Sequence, residues 1–227
     1  MDEKLRPLSL VEAQRRAEAL FAELEARGLV APGTGEQETS DRIRDLSNEM
    51  FGTATHWHRR LVRSGPRALF PYEASRPPDR IIGDDDVAVI TFGPAFEAYE
   101  VYFSRTLVVG DAPAKHRLRD DLATVFAAGR DAFRADPAIT GRQLYAEVEH
   151  RAADAGWALG GRHAGHLVGA PPYESIDGAG AGVCVDSYIT LDNGLPLRRV
   201  DHAGWRCHWI LEIHLTDGQH GFGGHYE

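Results

Sequence analysis

Lysine is nearly missing from this chain. Lys4 and Lys115 are the only two, so 23 of the 25 basic residues are arginine. Against them stand 34 acidic residues, a balance of 25 − 34 = −9. A nucleic acid or an anionic membrane selects a basic footprint, so neither is expected as a partner. Cysteine is as scarce. Cys184 and Cys207 are too few for a disulfide framework, which fits a reducing, cytoplasmic setting, and both read as small buried hydrophobes. No apolar run reaches the ~18 residues of a membrane-spanning helix. The opening MDEKLRPLSL has acids and no apolar stretch, so it does not read as a secretory leader. What remains is a chain of 227 residues, 43% of them hydrophobic, enough for a packed core. At ~150 residues per domain this is near one large domain.

Histidine is the residue in excess. Of 11 histidines, seven lie between His163 and His225. Before that cluster the chain reads as helices and strands in turn. Ser9 and Glu12 have capping-box spacing, Leu10, Ala13, Ala17, Leu20, Phe21 and Leu24 repeat at helical period, and Gly28 is placed to stop the helix. A second helix is expected over 39–50, with Ile43, Leu46 and Met50 on one face. Residues 64–80 hold four prolines and read as an ordered loop or edge strand. Strands follow at 87–92, 99–103 and 106–109, and a long helix at 112–133. Thr140 and Gln143 open a helix that Gly156 stops; strands at 188–191, 209–215 and the last residues complete the order. This order predicts an α+β fold, a mostly antiparallel sheet with helices on one face. Residues 1–55 read as a helical arm for docking or dimer formation, and residues 56–227 as the catalytic-type part, the two forming one folding unit.

Three segments point to metal chemistry. His166 lies between Gly165 and Gly169, and glycines let a backbone approach a site closely. In an extended strand His208, Ile210, Glu212 and His214 share one face. Glu227 follows His225 and Tyr226. One histidine and two carboxylates, His166, Glu212 and Glu227, are hard ligands suited to Mn, Fe, Co or Zn. Taken singly, a strand glutamate beside a histidine is more often a satisfied polar pair than a ligand.

The ordered motifs carry a resemblance. Ser64-Gly-Pro66, Pro77-Pro-Asp-Arg80, Ile90-Thr-Phe-Gly93, Ser104-Arg-Thr106 and Gly165-His-Leu-Val-Gly169, with Glu212 and Glu227 behind them, resemble the creatinase, aminopeptidase P and methionine aminopeptidase family, the pita-bread metallopeptidases. The resemblance implies a pita-bread fold over about residue 56 to the end, without the extra N-terminal domain of larger members, and a homodimer as the frequent assembly. It also implies two divalent ions held by Asp, Asp, His, Glu and Glu. Here the two aspartate positions fall on Thr91 and Tyr102, and that of a substrate-binding histidine on Tyr173, in Pro171-Pro-Tyr-Glu174.

Charge decides what these changes imply. Two carboxylates balance one divalent ion; a second would be an uncompensated buried charge. At most one metal is therefore expected, on His166, Glu212 and Glu227. Tyr102 is read either as a fourth, phenolate ligand or as a neutral phenol filling the place of the lost ion. The acid–base and catalytic candidates are His163, Glu174, His214, Tyr102 and Tyr173, and the pocket candidates are Tyr72, Trp57, His58 and Thr91. Arg105 reads as structural, pairing a carboxylate across the sheet. The expected activity is that of a divergent hydrolase or lyase acting on a small amide-, amidine- or amino-acid-like substrate, in specialised biosynthesis, rather than that of an ordinary aminopeptidase. The alternative is a catalytically silent, metal-free binding module.

Overall fold

The computed structural model describes residues 6–52, 62–70, 78–92, 95–96, 99–100, 103–168, 185–200, 204 and 206–227. Helix α1 spans Arg6–Ala26 and α2 spans Glu36–Phe51. The α1 stripe Ala13, Ala17, Leu20 and Leu24 is almost wholly buried, as its spacing requires. The helix starts earlier than the Ser9 signal, so Ser9 lies inside it. Pro7 is no obstacle there, because a proline in the first helical turn lacks an N–H that would be unpaired anyway. Gly28, at φ 60°, turns the chain out of α1.

The first carboxylate of α2 ties this helix to the sheet. Glu36 is fully buried, and its Oε1 accepts the Ser64 amide at 2.7 Å and the Ser64 hydroxyl at 2.9 Å. Its Oε2 pairs with Arg67. Ser64 ends β1 (Val62–Ser64), and Arg67 lies in a 3-10 turn over Gly65–Leu69. β1, β2 (Val87–Phe92) and β5 (Phe103–Val108) form a sheet in the order β1-β2-β5. Between them β3 (Ala95–Phe96) and β4 (Tyr99–Glu100) pair with each other. The strands expected at 99–103 and 106–109 are thus the short β4 and a single β5, because the whole of β5 stays in register with β2.

α3 (Pro113–Ala135) and α4 (Gly141–Asp154) fall where periodicity puts them, and Thr140 with Gln143 forms the reciprocal capping box. β6 (Ala158–Leu159), β9 (Ile213–Asp217) and β10 (Phe222–Tyr226) make a second sheet in the order β10-β9-β6. β7 (Gly165–Leu167) pairs with β8 (Trp209–Leu211). All pairings among the described strands are antiparallel.

Two strand expectations differ. The run at 209–215 is broken at Glu212, whose amide leaves the ladder for the Ala164 carbonyl at 3.0 Å. At 188–191 only Tyr188 makes a bridge, to His166. Ile189 still exchanges main-chain bonds with Ala164 and Gly165, but beyond it the Asn193 side-chain amide donates to the Tyr188 carbonyl at 2.7 Å and Thr190 Oγ1 accepts the Asp192 amide, so the strand goes no further.

Two apolar clusters result. One joins α1 and α2 to the sheet through Ala17, Leu20, Ile43, Ala88, Ile90 and Phe103, and the other joins α3 and α4 to β9 and β10 through Leu118, Leu122, Val148, Ile213 and Leu215. The N-terminal helices therefore share a core with β1, β2 and β5. No helix among the described residues is long and apolar enough to cross a membrane.

Candidate functional site

β9 and β10 pair so that His214 faces His225. Glu212 lies two residues before His214 and Glu227 two residues after His225, each just past the end of the ladder. The strand sequence Glu-x-His is thus met by His-x-Glu. The two imidazoles stack with ring centroids 3.8 Å apart and 20° between planes, both almost fully buried. His214 Nε2 meets the Ala68 carbonyl at 3.2 Å. The His225 backbone is held at both ends by Thr106: its amide donates to Thr106 Oγ1 at 2.7 Å, and that hydroxyl donates to its carbonyl at 2.8 Å.

Glu212 is bracketed by imidazoles. Its Oε1 is 3.5 Å from His225 Nδ1, and its Oε2 is 3.8 Å from His163 Nδ1. His163 Nδ1 accepts the Gly165 amide at 3.3 Å and stands too far from Glu212 for a hydrogen bond. Burial works against ionisation of Glu212. The contact with His225 and the charges of His163, His225 and His166 outweigh it and hold this carboxyl well below the usual range. Glu227 moves the other way: burial and the Glu212 charge push it well above the usual range, against the pull of Arg105 and Arg63. Burial, with the charge of Arg63, pulls His225 down to about 4, against the opposing pull of Glu212. Burial and the charge of His225 also lower His214.

His166 is buried in β7, registers with Ile210 of β8, and has its Nδ1 3.2 Å from the Leu167 carbonyl. Gly165 places it. At φ 132° a side chain is strained, and a Cβ would collide with the Ile210 carbonyl, so only glycine lets β7 lie this close to β8. Thr91 is buried in β2, with its hydroxyl 3.2 Å from that of its cross-strand partner Ser104. Arg105 lies between the rings of Phe103 and Tyr226, 3.8 and 3.6 Å from their centroids. It donates to the main-chain oxygens of Ser104 and Glu227 and also feels the charge of Glu227.

The structure therefore brings His163 and His225 to Glu212, stacks His214 on His225, and leaves Glu227 within the field of the Glu212 charge. Trp57, His58, Tyr72, Tyr102, Tyr173, Glu174 and Cys184 lie outside the described residues. His225 and Arg63 were missed in the sequence; the mirrored Glu-x-His and His-x-Glu was the signal for His225. A cavity of about 460 Å³ adjoins Glu227, lined mainly by apolar residues including Phe126, Phe133, Trp209 and Leu211, with Arg130 and Arg134 among the polar ones.

The Glu227 Oε2 atom is buried with no hydrogen-bond partner, close enough to the ionised Glu212 to feel its charge. A buried acceptor in that field fits a cation, and nitrogen and carboxylate donors fit one divalent ion. Among the described residues, no three His, Cys, Asp or Glu side chains are gathered into a ready cage.

The model of metallopeptidase family M24 matches residues 9–191. No curated protein sequence matches the chain. Among solved structures, the X-Pro aminopeptidase from Thermotoga maritima MSB8 superposes with a TM-score of 0.74 at 19% identity, over 100% of this chain and 57% of that one. The dipeptidase PepE from Mycobacterium ulcerans gives 0.71 at 24%, over 98% and 56%. The prolidase from Pyrococcus furiosus gives 0.68 at 19%, over 94% and 56%. The chain spans a little over half the length of these proteins and shares their pita-bread fold. With four-fifths of its length inside the family model, the chain belongs to metallopeptidase family M24.

Proposed function

We propose that the protein is a hydrolase-type enzyme working with one divalent ion, Mn, Fe, Co or Zn, held by His166, Glu212 and Glu227. The carrying observation is the Thr91–Ser104 hydroxyl pair, which stands where the family resemblance calls for a metal-binding carboxylate. With Tyr102 at the second such position, two carboxylates remain, and they balance one divalent ion.

Such an ion supplies Lewis acidity toward a carbonyl and a more acidic water. The chain's own residues do the rest. Glu212 stays ionised beside His225. Glu227, held toward its protonated form, would lose that proton to solvent on binding a cation, so loading would release a proton. His163, partly exposed, keeps Nδ1 on the Gly165 amide, which leaves its ring proton on Nε2 to be given. Tyr102, Tyr173, Tyr72, Trp57 and His58 shape the substrate pocket, and Glu174 serves as a second acid–base group. A cavity of about 460 Å³ suits a small amide-, amidine- or amino-acid-like substrate, as in specialised biosynthesis. The reading includes a cytoplasmic homodimer.

A second reading, a metal-free binding module, is favoured by the engagement of Glu212 with imidazoles. Metal stoichiometry decides. After loading with Mn, Fe, Co and Zn in turn, elemental analysis should give one ion per chain. Two ions overturn the charge argument. None, with unchanged stability in Glu212→Gln, establishes the binding module.

A further inference from the structure

We infer that His225 is a positioning residue for Glu212, its clamped imidazole setting the orientation of the carboxylate that the proposed reading gives to the ion. The inference rests on that reading for its purpose, and on geometry for its substance. His225 is held on every side the structure describes. Thr106 takes both its main-chain groups, at 2.7 and 2.8 Å. His214 covers its ring at 3.8 Å. Its Nδ1 is then left facing Glu212 Oε1 at 3.5 Å.

His214 is a spacer with a place prepared for it. A Cβ on Gly160 would collide with the His214 ring, so the glycine makes room for the imidazole. The Gly160 amide also donates to the His214 carbonyl at 2.9 Å. Gly160, His214, His225 and Glu212 thus follow one another as a packed series running up to the carboxylate.

Packing alone does not explain this choice of residues. Two facing core positions in a hairpin are filled most cheaply by aliphatic side chains. Here each imidazole carries a buried nitrogen with no hydrogen-bond partner, His214 Nδ1 and His225 Nε2. Burying such groups costs free energy unless a contact requires them. The contact at hand is that of His225 Nδ1 with one oxygen of Glu212, 3.5 Å away. A ligating carboxylate held in this way loses less rotamer freedom when it binds, and removal of such partners typically weakens metal binding about 10–100-fold.

Calorimetry with Zn²⁺ on the wild type, His225→Phe and His225→Asn tests this. Phenylalanine keeps the stack and loses the donor, whereas the asparagine amide can stand in for Nδ1–H. His225→Phe should bind about 10–100-fold more weakly and alter the visible spectrum of the Co²⁺-loaded protein, and His225→Asn should recover most of the affinity. Unchanged affinity and spectrum in His225→Phe overturn the assignment. Should that variant fail to fold, or the wild type take no metal, imidazole ¹⁵N spectra of the wild type decide. A proton on Nδ1 of His225 upholds the inference, and a proton on Nε2 alone overturns it. Failure of the wild type to bind metal while Nδ1 is protonated removes the proposed function and leaves the positioning intact.

Discussion

Thr91 and Ser104 face each other across β2 and β5 and join hydroxyls 3.2 Å apart in a place closed to solvent. A hydroxyl pair satisfies itself. A carboxylate there would need a cation, a proton or another donor. On the proposed reading, this one cross-strand pair bears on how many ions the site can balance.

The double substitution Thr91→Asp with Tyr102→Asp should raise the bound metal from one to two ions per chain, read by elemental analysis, and bring hydrolysis of a dipeptide substrate. Without metal, the new buried acid at position 91 should lower the unfolding midpoint, with loading restoring it. A stoichiometry that stays at one counts against the charge argument.

Acid should destabilise the chelator-treated protein through its buried histidines. His225 falls from an ordinary 6.5 to about 4. Its folded form therefore binds fewer protons than the unfolded chain between those values. The stability it contributes is complete above about pH 6.5 and is lost as pH falls toward 4, an effect of about 3 kcal/mol at most. Chemical denaturation across that window should show a smaller decline in His225→Phe than in the wild type.

Glu227 has the opposite sign. Its carboxyl is raised above an ordinary 4.5, so the folded form holds a proton that the unfolded chain releases. That contribution is complete below pH 4.5 and is lost as pH rises above it. Glu227→Gln, measured by denaturation without metal, should flatten the alkaline side of the stability profile.

Gly165→Ala should cost at least about 3 kcal/mol, since it meets both a strained φ and a collision with the Ile210 carbonyl. Thermal unfolding reads the loss. The variant should also lose its metal, because the collision drives β7, and His166 with it, away from β8.

Glu36→Ala should cost about 3–5 kcal/mol by urea denaturation, because it leaves the Arg67 charge and the Ser64 donors without their buried acceptor.

Local signals were legible where a few neighbouring residues decide the structure. Thr140 and Gln143 cap α4 by contacts within one turn, and the buried face of α3 follows from its own period. Glu212, His166 and Thr91 stand out in the sequence because the motifs of the resemblance fix their places along the chain. The break at Glu212 was not legible, since it depends on the Ala164 carbonyl, far away in sequence. His225 shows the same limit. Its meaning appears only when the β9–β10 register is known, for a slip of one residue would send it to the other face. Arg105 was placed as structural, but its aromatic sandwich depends on β10 lying beside β5.

β2 is walled in on both sides: Ala88 and Ile90 belong to one apolar cluster, Val87 and Val89 to the other. Neither half of the molecule can open without exposing a face of this strand. Heating should therefore give a single calorimetric transition whose van't Hoff and calorimetric enthalpies agree. The slowest-exchanging amides should be those of β2, exchanging only when the whole chain comes apart.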